Sequence, residues 1–275
     1  MFWTSGKLEQ SSNYMHSLSL PAVLLPAVCL LARQAGEAIL EVYRSSFSVT
    51  TKTDGSPVTK ADRIAERLII AGLRRLACNI PIVAEEAITA GEIPDISVGS
   101  FWLVDPLDGT EAFIQHNKEF TVNIALIQKG QSVLGVIYAP IYKHLYSAIT
   151  HGFATIESDN YVRTLQTRSI SKKKISVVSS CTHDDPVLIA EFLRAHKVRS
   201  AVRVSSSLKL CLVAAGQADF YPRFGRTMEW DTAAGHAILR AAGGGIYTTS
   251  GEELHYGKPG FRNPNFIARG TIPYR

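Results

Sequence analysis

Cysteine is scarce in this chain of 275 residues, and none of its four cysteines, Cys29, Cys78, Cys181 and Cys211, stands in a C-x-x-C pair. That spacing excludes a zinc ribbon and offers no disulfide framework. Each cysteine sits beside apolar or small residues, so all four read as buried thiols of a reducing compartment. Charge is also sparse, at 19% of residues, and nearly balanced, with a formal net charge of +5. So small an excess favours an anionic substrate only weakly. No Lys/Arg run is long enough for a nucleic-acid arm, and no nucleic-acid partner is expected. The densest cluster, Lys172, Lys173 and Lys174, reads as a solvated loop. Repeats and low-complexity tracts are missing too. What is present is apolar: 46% hydrophobic residues, enough for a sizeable core in one large domain or two closely packed ones.

The N-terminal region has the look of a signal peptide but not its parts. Leu18 to Leu31 is apolar, yet it contains Pro21 and Pro26, and only Lys7 precedes it as a basic residue. It runs without a break into the helical pattern Ala32 to Leu40, where a cleavage site would have to fall. No stretch reaches the roughly 18 uninterrupted apolar residues of a membrane span. The expectation is a first helix of a cytoplasmic protein with no integral membrane segment. Peripheral attachment at the inner face of the cell membrane stays open. Residues 1–14 read as a polar, disordered extension, and Met15 offers a second start.

Along the chain, helical patterns are expected over 22–45, after a capping box at Thr59 to Asp62, and over 186–196, 208–215 and 232–242. The helix after the capping box should bury Ile64, Leu68, Ala71 and Leu76. Strands are expected at 81–84, delivering Glu85 and Glu86, and at 101–104, ending on Asp105. Further strands fall at 120–127, 132–138, 145–149, 175–178, 201–204 and 220–221. Residues 87–100 read as a loop. Helices and strands alternate in both halves, which argues a layered α/β or α+β architecture. The division is an extension over 1–14, an α+β part over 15–170 and an α/β part over 171–275.

The chemistry centres on Asp105-Pro106-Leu107-Asp108-Gly109-Thr110. Two carboxylates follow an apolar strand, with Pro106 fixing φ between them and Gly109 permitting a tight turn. Both carboxylates and the Leu107 carbonyl can face one point, an oxygen-only donor set of the kind hard cations take. A plain turn would use the same residues. The haloacid-dehalogenase motif D-x-D-G-T is excluded as an aspartyl-phosphate site, because its nucleophile would have to be residue 106, a proline. Glu85 and Glu86 could be a solvated strand end, and Asp62 and Asp231 could be helix caps. The set in this order carries more than its members.

Val58-Thr59-Lys60-Ala61-Asp62, Ala84-Glu85-Glu86, Asp105 to Thr110 and Trp230-Asp231-Thr232-Ala233-Ala234-Gly235 together resemble the signature series of the inositol monophosphatase superfamily. The resemblance covers about residues 33–268. Ser206-Ser207-Leu208-Lys209 and Tyr221-Pro222-Arg223-Phe224-Gly225 resemble its bacterial 3'(2'),5'-bisphosphate nucleotidase branch. It implies a layered αβαβα sandwich and a Mg²⁺-dependent, lithium-sensitive phosphatase that uses a metal-activated water and two or three Mg²⁺ ions. Glu85, Asp105, Leu107 through its carbonyl, Asp108 and Asp231 would ligate metal. Asp62, Glu85 and Thr110 would be catalytic, with Asp62 pairing the Thr110 hydroxyl to orient the water. Gly109 and Thr110 amides would cradle the scissile phosphate. His183, Ser206, Lys209 and Arg223 would contact the nucleotide. Ordinary readings stand beside these: His183 as a loop residue, Lys209 as a solvated helix residue, Arg223 as an ion-pair partner. The implied substrate is adenosine 3',5'-bisphosphate, with a role in sulfur metabolism. The alternatives are an inositol or sugar monophosphatase and a non-catalytic phosphate-binding protein. Two departures stand out: Glu111-Ala112 where the family often has Lys-Glu, and Ser205 where it often has Gly.

Overall fold

The computed structural model describes residues 19–52, 55–170, 174–181 and 184–272. The extension 1–14, Lys172, Lys173 and His183 lie outside them.

Helix α1, Leu20–Tyr43, begins with Pro21 in its first turn, where a missing N–H costs nothing. By length and composition it is long and apolar enough to cross a membrane, with a mean hydropathy of 1.6. Here it lies along a sheet and buries Val28, Ala32, Ala35 and Ile39 completely. A hairpin of β1, Val49–Thr51, and β2, Pro57–Thr59, leads into α2, Lys60–Leu76, through the expected capping box. The buried face of α2 is not the expected one. Ala61, Ala65, Ile69, Gly72 and Leu73 face inward, Ile64 and Leu68 are half-buried against the core, and Ala71 and Leu76 are exposed. Small residues win that face because α1 comes close: a Cβ at Gly72 would fall 2.2 Å from the Leu31 side chain.

A seven-stranded sheet follows, in chain order from edge to edge: β3 Ile82–Ala84, β4 Ser100–Asp108, β5 Thr121–Gln128, β6 Gln131–Ala139, β7 His144–Ile149, β8 Ala154–Ser158 and β9 Tyr161–Thr164. Within this sheet, β3 and β4 pair in parallel and the other neighbours antiparallel. Short helices α3, Glu85–Thr89, and α4, Thr110–Ile114, leave the ends of β3 and β4. Two expectations change here. Glu85 and Glu86 open a helix rather than close a strand, and β4 runs through the Asp-Pro-Leu-Asp motif to Asp108.

The second sheet has five strands: β10 Ile175–Ser179, β11 Val198–Arg203, β12 Phe220–Arg223, β13 Gly245–Thr248 and β14 Phe266–Arg269, in the order β11-β10-β12-β14-β13. Strands β1, β2, β8, β9, β13 and β14 are additions to the sequence reading. Helix α5, Pro186–Ala195, covers its outer face, around Phe192. Helices α6, Leu208–Ala214, and α7, Glu229–Ala241, are packed between the two sheets. The layers are therefore α1–α2, seven strands, α6–α7, five strands, α5, the expected αβαβα sandwich.

Alternation along β4 shows why the order is stable. Trp102 and Val104 point to α1 and α2, Phe101 and Leu103 to α6 and α7, and all four are buried. Both faces of the sheet are covered, so the run Phe101–Val104 is apolar throughout. Helix α7 presses on β6 at Gly135, where a Cβ would fall 2.2 Å from the Ala234 carbonyl oxygen. The cysteines differ from expectation: Cys211 is buried, Cys29 half-buried, and Cys78 and Cys181 exposed.

Candidate active site

A cleft of about 400 Å³ opens where the ends of β4, α6 and α7 meet. Glu85, Asp105, Leu107, Asp108, Gly109, Thr110, Ser206, Lys209, Arg223 and Asp231 all line it.

A register break brings the motif's carboxylates together. Asp105 pairs with Asn123 and Asp108 with Thr121, so three steps on β4 match two on β5. In a regular strand, residues three apart point to opposite faces. The extra residue is a β-bulge, which restores Asp108 to the side of Asp105. Asp105 Oδ1 accepts the Leu107 N–H at 3.0 Å and closes the bulge. Gly109 then takes φ 90°, and a Cβ there would sit 3.0 Å from the Glu119 carbonyl oxygen. Glycine meets both demands.

Asp231 occupies the third position of α7, where its Oδ2 accepts the Met228 N–H at 2.9 Å. Asp62 does the same for α2: its Oδ2 accepts the Thr59 N–H at 2.8 Å and the Thr59 hydroxyl at 2.7 Å. The caps and the site residues are thus the same residues. Asp62 keeps Oδ1 for Thr110, whose hydroxyl lies 3.1 Å away.

The buried carboxylates raise one another. Burial, then Glu85, Asp108 and Asp231, hold Asp105 well above its ordinary range. Burial also raises Asp108, against Lys209 and the donors Asn123 and Ser207. Asp231 is pushed up to about 8 by burial, Asp108 and Glu85. Among the described residues, no three Asp, Glu, His or Cys side chains already close on one point as a finished metal shell. They share a cavity and a mutual repulsion, and a hard cation relieves that repulsion with oxygen donors alone. The donor set therefore fits Mg²⁺.

Lys52 was missed by the sequence reading. Its ammonium lies 2.7 Å from Glu85 Oε1 and 2.5 Å from Glu86 Oε1, with its side chain 5% exposed. Burial opposes its charge, but Glu85 and Glu86 outweigh that and raise its pKa. Nothing local marks this partner of a carboxylate 33 residues on. Glu86 is pushed up to about 7 by burial, against Lys52.

On the other wall, Ser206 adopts φ 55°. Lys209 is buried rather than solvated. Its ammonium donates to the Ser206 carbonyl at 2.5 Å and the Val204 carbonyl at 3.1 Å, and burial lowers its pKa to about 8. Arg223 donates to the Arg226 carbonyl at 2.7 Å and pairs with Asp184 at 3.5 Å. Its Nε is buried without a partner among the described residues, as is Thr227 Oγ1. Glu111 also lines the cleft.

The fold, the bulged Asp-Pro-Leu-Asp strand and the ring of carboxylates define a class, and the comparisons agree with it. Residues 21–273 match the inositol monophosphatase family model, and the chain belongs to that family. Among curated relatives, the 3'(2'),5'-bisphosphate nucleotidase CysQ of Escherichia coli K12 is 45% identical over 246 residues, 88% of this chain and 98% of that protein. The protein of the same name from Haemophilus influenzae is 34% identical, covering 92% of this chain and 95% of its own length. Among solved structures, CysQ from Bacteroides thetaiotaomicron superposes with a TM-score of 0.76 at 38% identity, covering 89% of this chain and 96% of that one. The Thermotoga maritima IMPase gives 0.74 at 26% identity, with 88% and 89% covered.

Proposed function

We propose that this chain is a metal-dependent 3'(2'),5'-bisphosphate nucleotidase that hydrolyses the 3'-phosphate of adenosine 3',5'-bisphosphate to give AMP and phosphate. The reading is carried by the ring of mutually raised carboxylates in a chain 45% identical, over 88% of its length, to nucleotidases of that name. Glu85, Asp105, the Leu107 carbonyl, Asp108 and Asp231 would hold Mg²⁺, two or three ions in all. Such ions supply positive charge against the phosphoryl oxygens and acidify a water.

The chain's own residues orient the attack. The Thr110 hydroxyl lies 3.1 Å from both Asp62 Oδ1 and the Leu107 carbonyl oxygen. With that carbonyl given to a cation, its single proton would go to Asp62 and the Oγ1 lone pairs would face the cleft. A water that donates to Thr110 Oγ1 then has a lone pair free for phosphorus. As the water oxygen bonds to phosphorus, its proton passes to Thr110 Oγ1 and the Thr110 proton to Asp62, while the bond from phosphorus to the 3'-oxygen breaks and that oxygen takes a proton from solvent water. Gly109 and Thr110 amides, at the start of α4, take the phosphoryl oxygens. Ser206, Lys209 and Arg223 form the nucleotide wall, and His183 is placed there by the family resemblance alone. The free cysteines accord with a cytoplasmic setting.

One observation favours a second reading. Lys209 and Arg223 spend donors on backbone carbonyls and on Asp184, and Glu111 brings negative charge to the cleft. An inositol or sugar monophosphate, with no second phosphate, would suit that wall. Phosphate release from adenosine 3',5'-bisphosphate, inositol 1-phosphate and fructose 1,6-bisphosphate, side by side, separates the two. A kcat/KM highest for inositol 1-phosphate would overturn the nucleotidase reading.

A further inference from the structure

A short polar chain links the seven-stranded sheet to the turn before α6, and it ends on Asp108. Thr121, Asn123 and Ser207 are nearly inaccessible, at 0%, 1% and 3% exposure. Ser207 Oγ lies 2.7 Å from Asn123 Oδ1, and Thr121 Oγ1 lies 2.8 Å from Ser207 Oγ. The Asn123 amide nitrogen reaches Asp108 Oδ2 at 3.2 Å, and the Ser207 backbone N–H reaches the same oxygen at 2.6 Å.

These contacts admit one direction. A hydroxyl carries one proton, and an amide oxygen only accepts. Ser207 spends its proton on Asn123, so Thr121 must donate to Ser207. The opposite amide orientation would set the Asn123 oxygen against a carboxylate oxygen. Each link has a donor and an acceptor in that direction, and two donors converge on a single oxygen of Asp108. The turn that supplies one of them is itself clamped. The Ser205 N–H donates to Glu119 at 2.8 Å, and Lys209 holds the Ser206 carbonyl.

We infer that Asn123 and Ser207 are positioning residues. By saturating Oδ2 of Asp108 they present Oδ1 to the cation site, and they tie that site to the substrate-facing turn Ser205–Ser207. The inference rests on the reading of Asp108 as a metal ligand. Partners one shell out from a metal commonly set its affinity by orienting the ligand. Here the orienting groups come from both sheets' sides of the cleft, so Asp108 cannot settle until the turn is in place.

The test is Mn²⁺ binding to the metal-free full-length chain, followed by electron paramagnetic resonance or calorimetry without substrate. Asn123→Leu should raise the Mn²⁺ Kd about ten-fold or more, while melting in EDTA stays cooperative. Ser207→Ala keeps the backbone donor and should cost less, about three-fold, which is roughly half the ten-fold step on the free-energy scale. Because that hydroxyl acts only through Asn123, the double variant should bind no worse than Asn123→Leu alone. Asp108→Asn separates the two levels of the argument: if it leaves Mn²⁺ affinity unchanged, the ligand reading fails. If it weakens binding while a folded Asn123→Leu stays within two-fold of the parent, the positioning role is overturned. Additive losses in the double variant overturn it as well. Should Asn123→Leu fail to fold, an unchanged Kd in Ser207→Ala overturns the role and a raised one supports it.

Discussion

The hydroxyl of Thr110 stands 3.1 Å from Oδ1 of Asp62, across 48 residues of sequence, while the other oxygen of Asp62 caps α2. One carboxylate thus fixes a helix terminus and a catalytic hydroxyl together. Thr110→Ala should lower kcat by about 10²–10⁴, the usual range for a positioned proton-transfer group. Mn²⁺ affinity should change little, since Thr110 is not a ligand. Steady-state kinetics beside a binding isotherm check this, and an unimpaired kcat would remove Thr110 from the mechanism.

Chelation should abolish activity, and Mg²⁺ should raise the melting temperature of the metal-free protein. The carboxylates raise one another's pKa, so a cation among them removes a repulsion as well as adding bonds. Phosphate release with and without EDTA measures the first, and scanning calorimetry the second. Full activity after exhaustive chelation contradicts the metal assignment.

Glu66 gives a pH signature of its own. Burial pushes its carboxyl up to about 7, although the Glu86 and Ala87 N–H groups pull it back. A group raised on folding binds more protons folded than unfolded. Its stabilising contribution is present at low pH and is lost as pH rises through about 7. In EDTA, Glu66→Gln should flatten the fall in melting temperature between pH 4.5 and about pH 7, the interval between its ordinary and its raised pKa. A profile identical to the parent's would show that Glu66 titrates normally.

Asp219 is 3% exposed and grips the linker between the sheets: Arg168 donates to it twice, at 2.6 Å and 2.7 Å, and the Ser176 N–H at 2.6 Å. Asp219→Ala should cost roughly 2–3 kcal/mol in urea unfolding, since hydrogen bonds to a charged group are lost and Arg168 is open enough to be rehydrated. The folded fraction should keep its kcat.

Arg223→Ala tests the nucleotide wall. It should raise KM for adenosine 3',5'-bisphosphate about ten- to a hundred-fold, the cost of a charged hydrogen bond, and barely affect 2'-AMP. Equal damage to both substrates would mark Arg223 as the partner of Asp184 and nothing more. Glu111→Lys should lower KM most at low ionic strength, where screening is weak.

The layered fold and the acidic residues were legible because each has a local mark. The capping box at Thr59–Asp62 and the Asp-Pro-Leu-Asp spacing are short-range patterns, and the structure shows both as written. The buried face of α2 was misread because size guided the choice, whereas closeness to α1 selected Ala65 and Gly72. Lys52 and Ser207 were illegible for a different reason. Their partners, Glu85 and Asp108, lie 33 and 99 residues away, and only the closed sandwich brings them together. Asn123 left a faint signal, a polar residue inside the apolar run of β5.

Gly135 and the back of α7 have no chemistry, yet they act as a gauge for the metal site. Asp231 rides on α7 and Asp105 on β4, and the thickness of the layer between helix and sheet sets how far apart they stand. A side chain at Gly135 would lift the helix and widen that gap without touching a ligand. Loss of metal affinity can therefore originate in the packing between layers, at a position that no inspection of the cleft would single out.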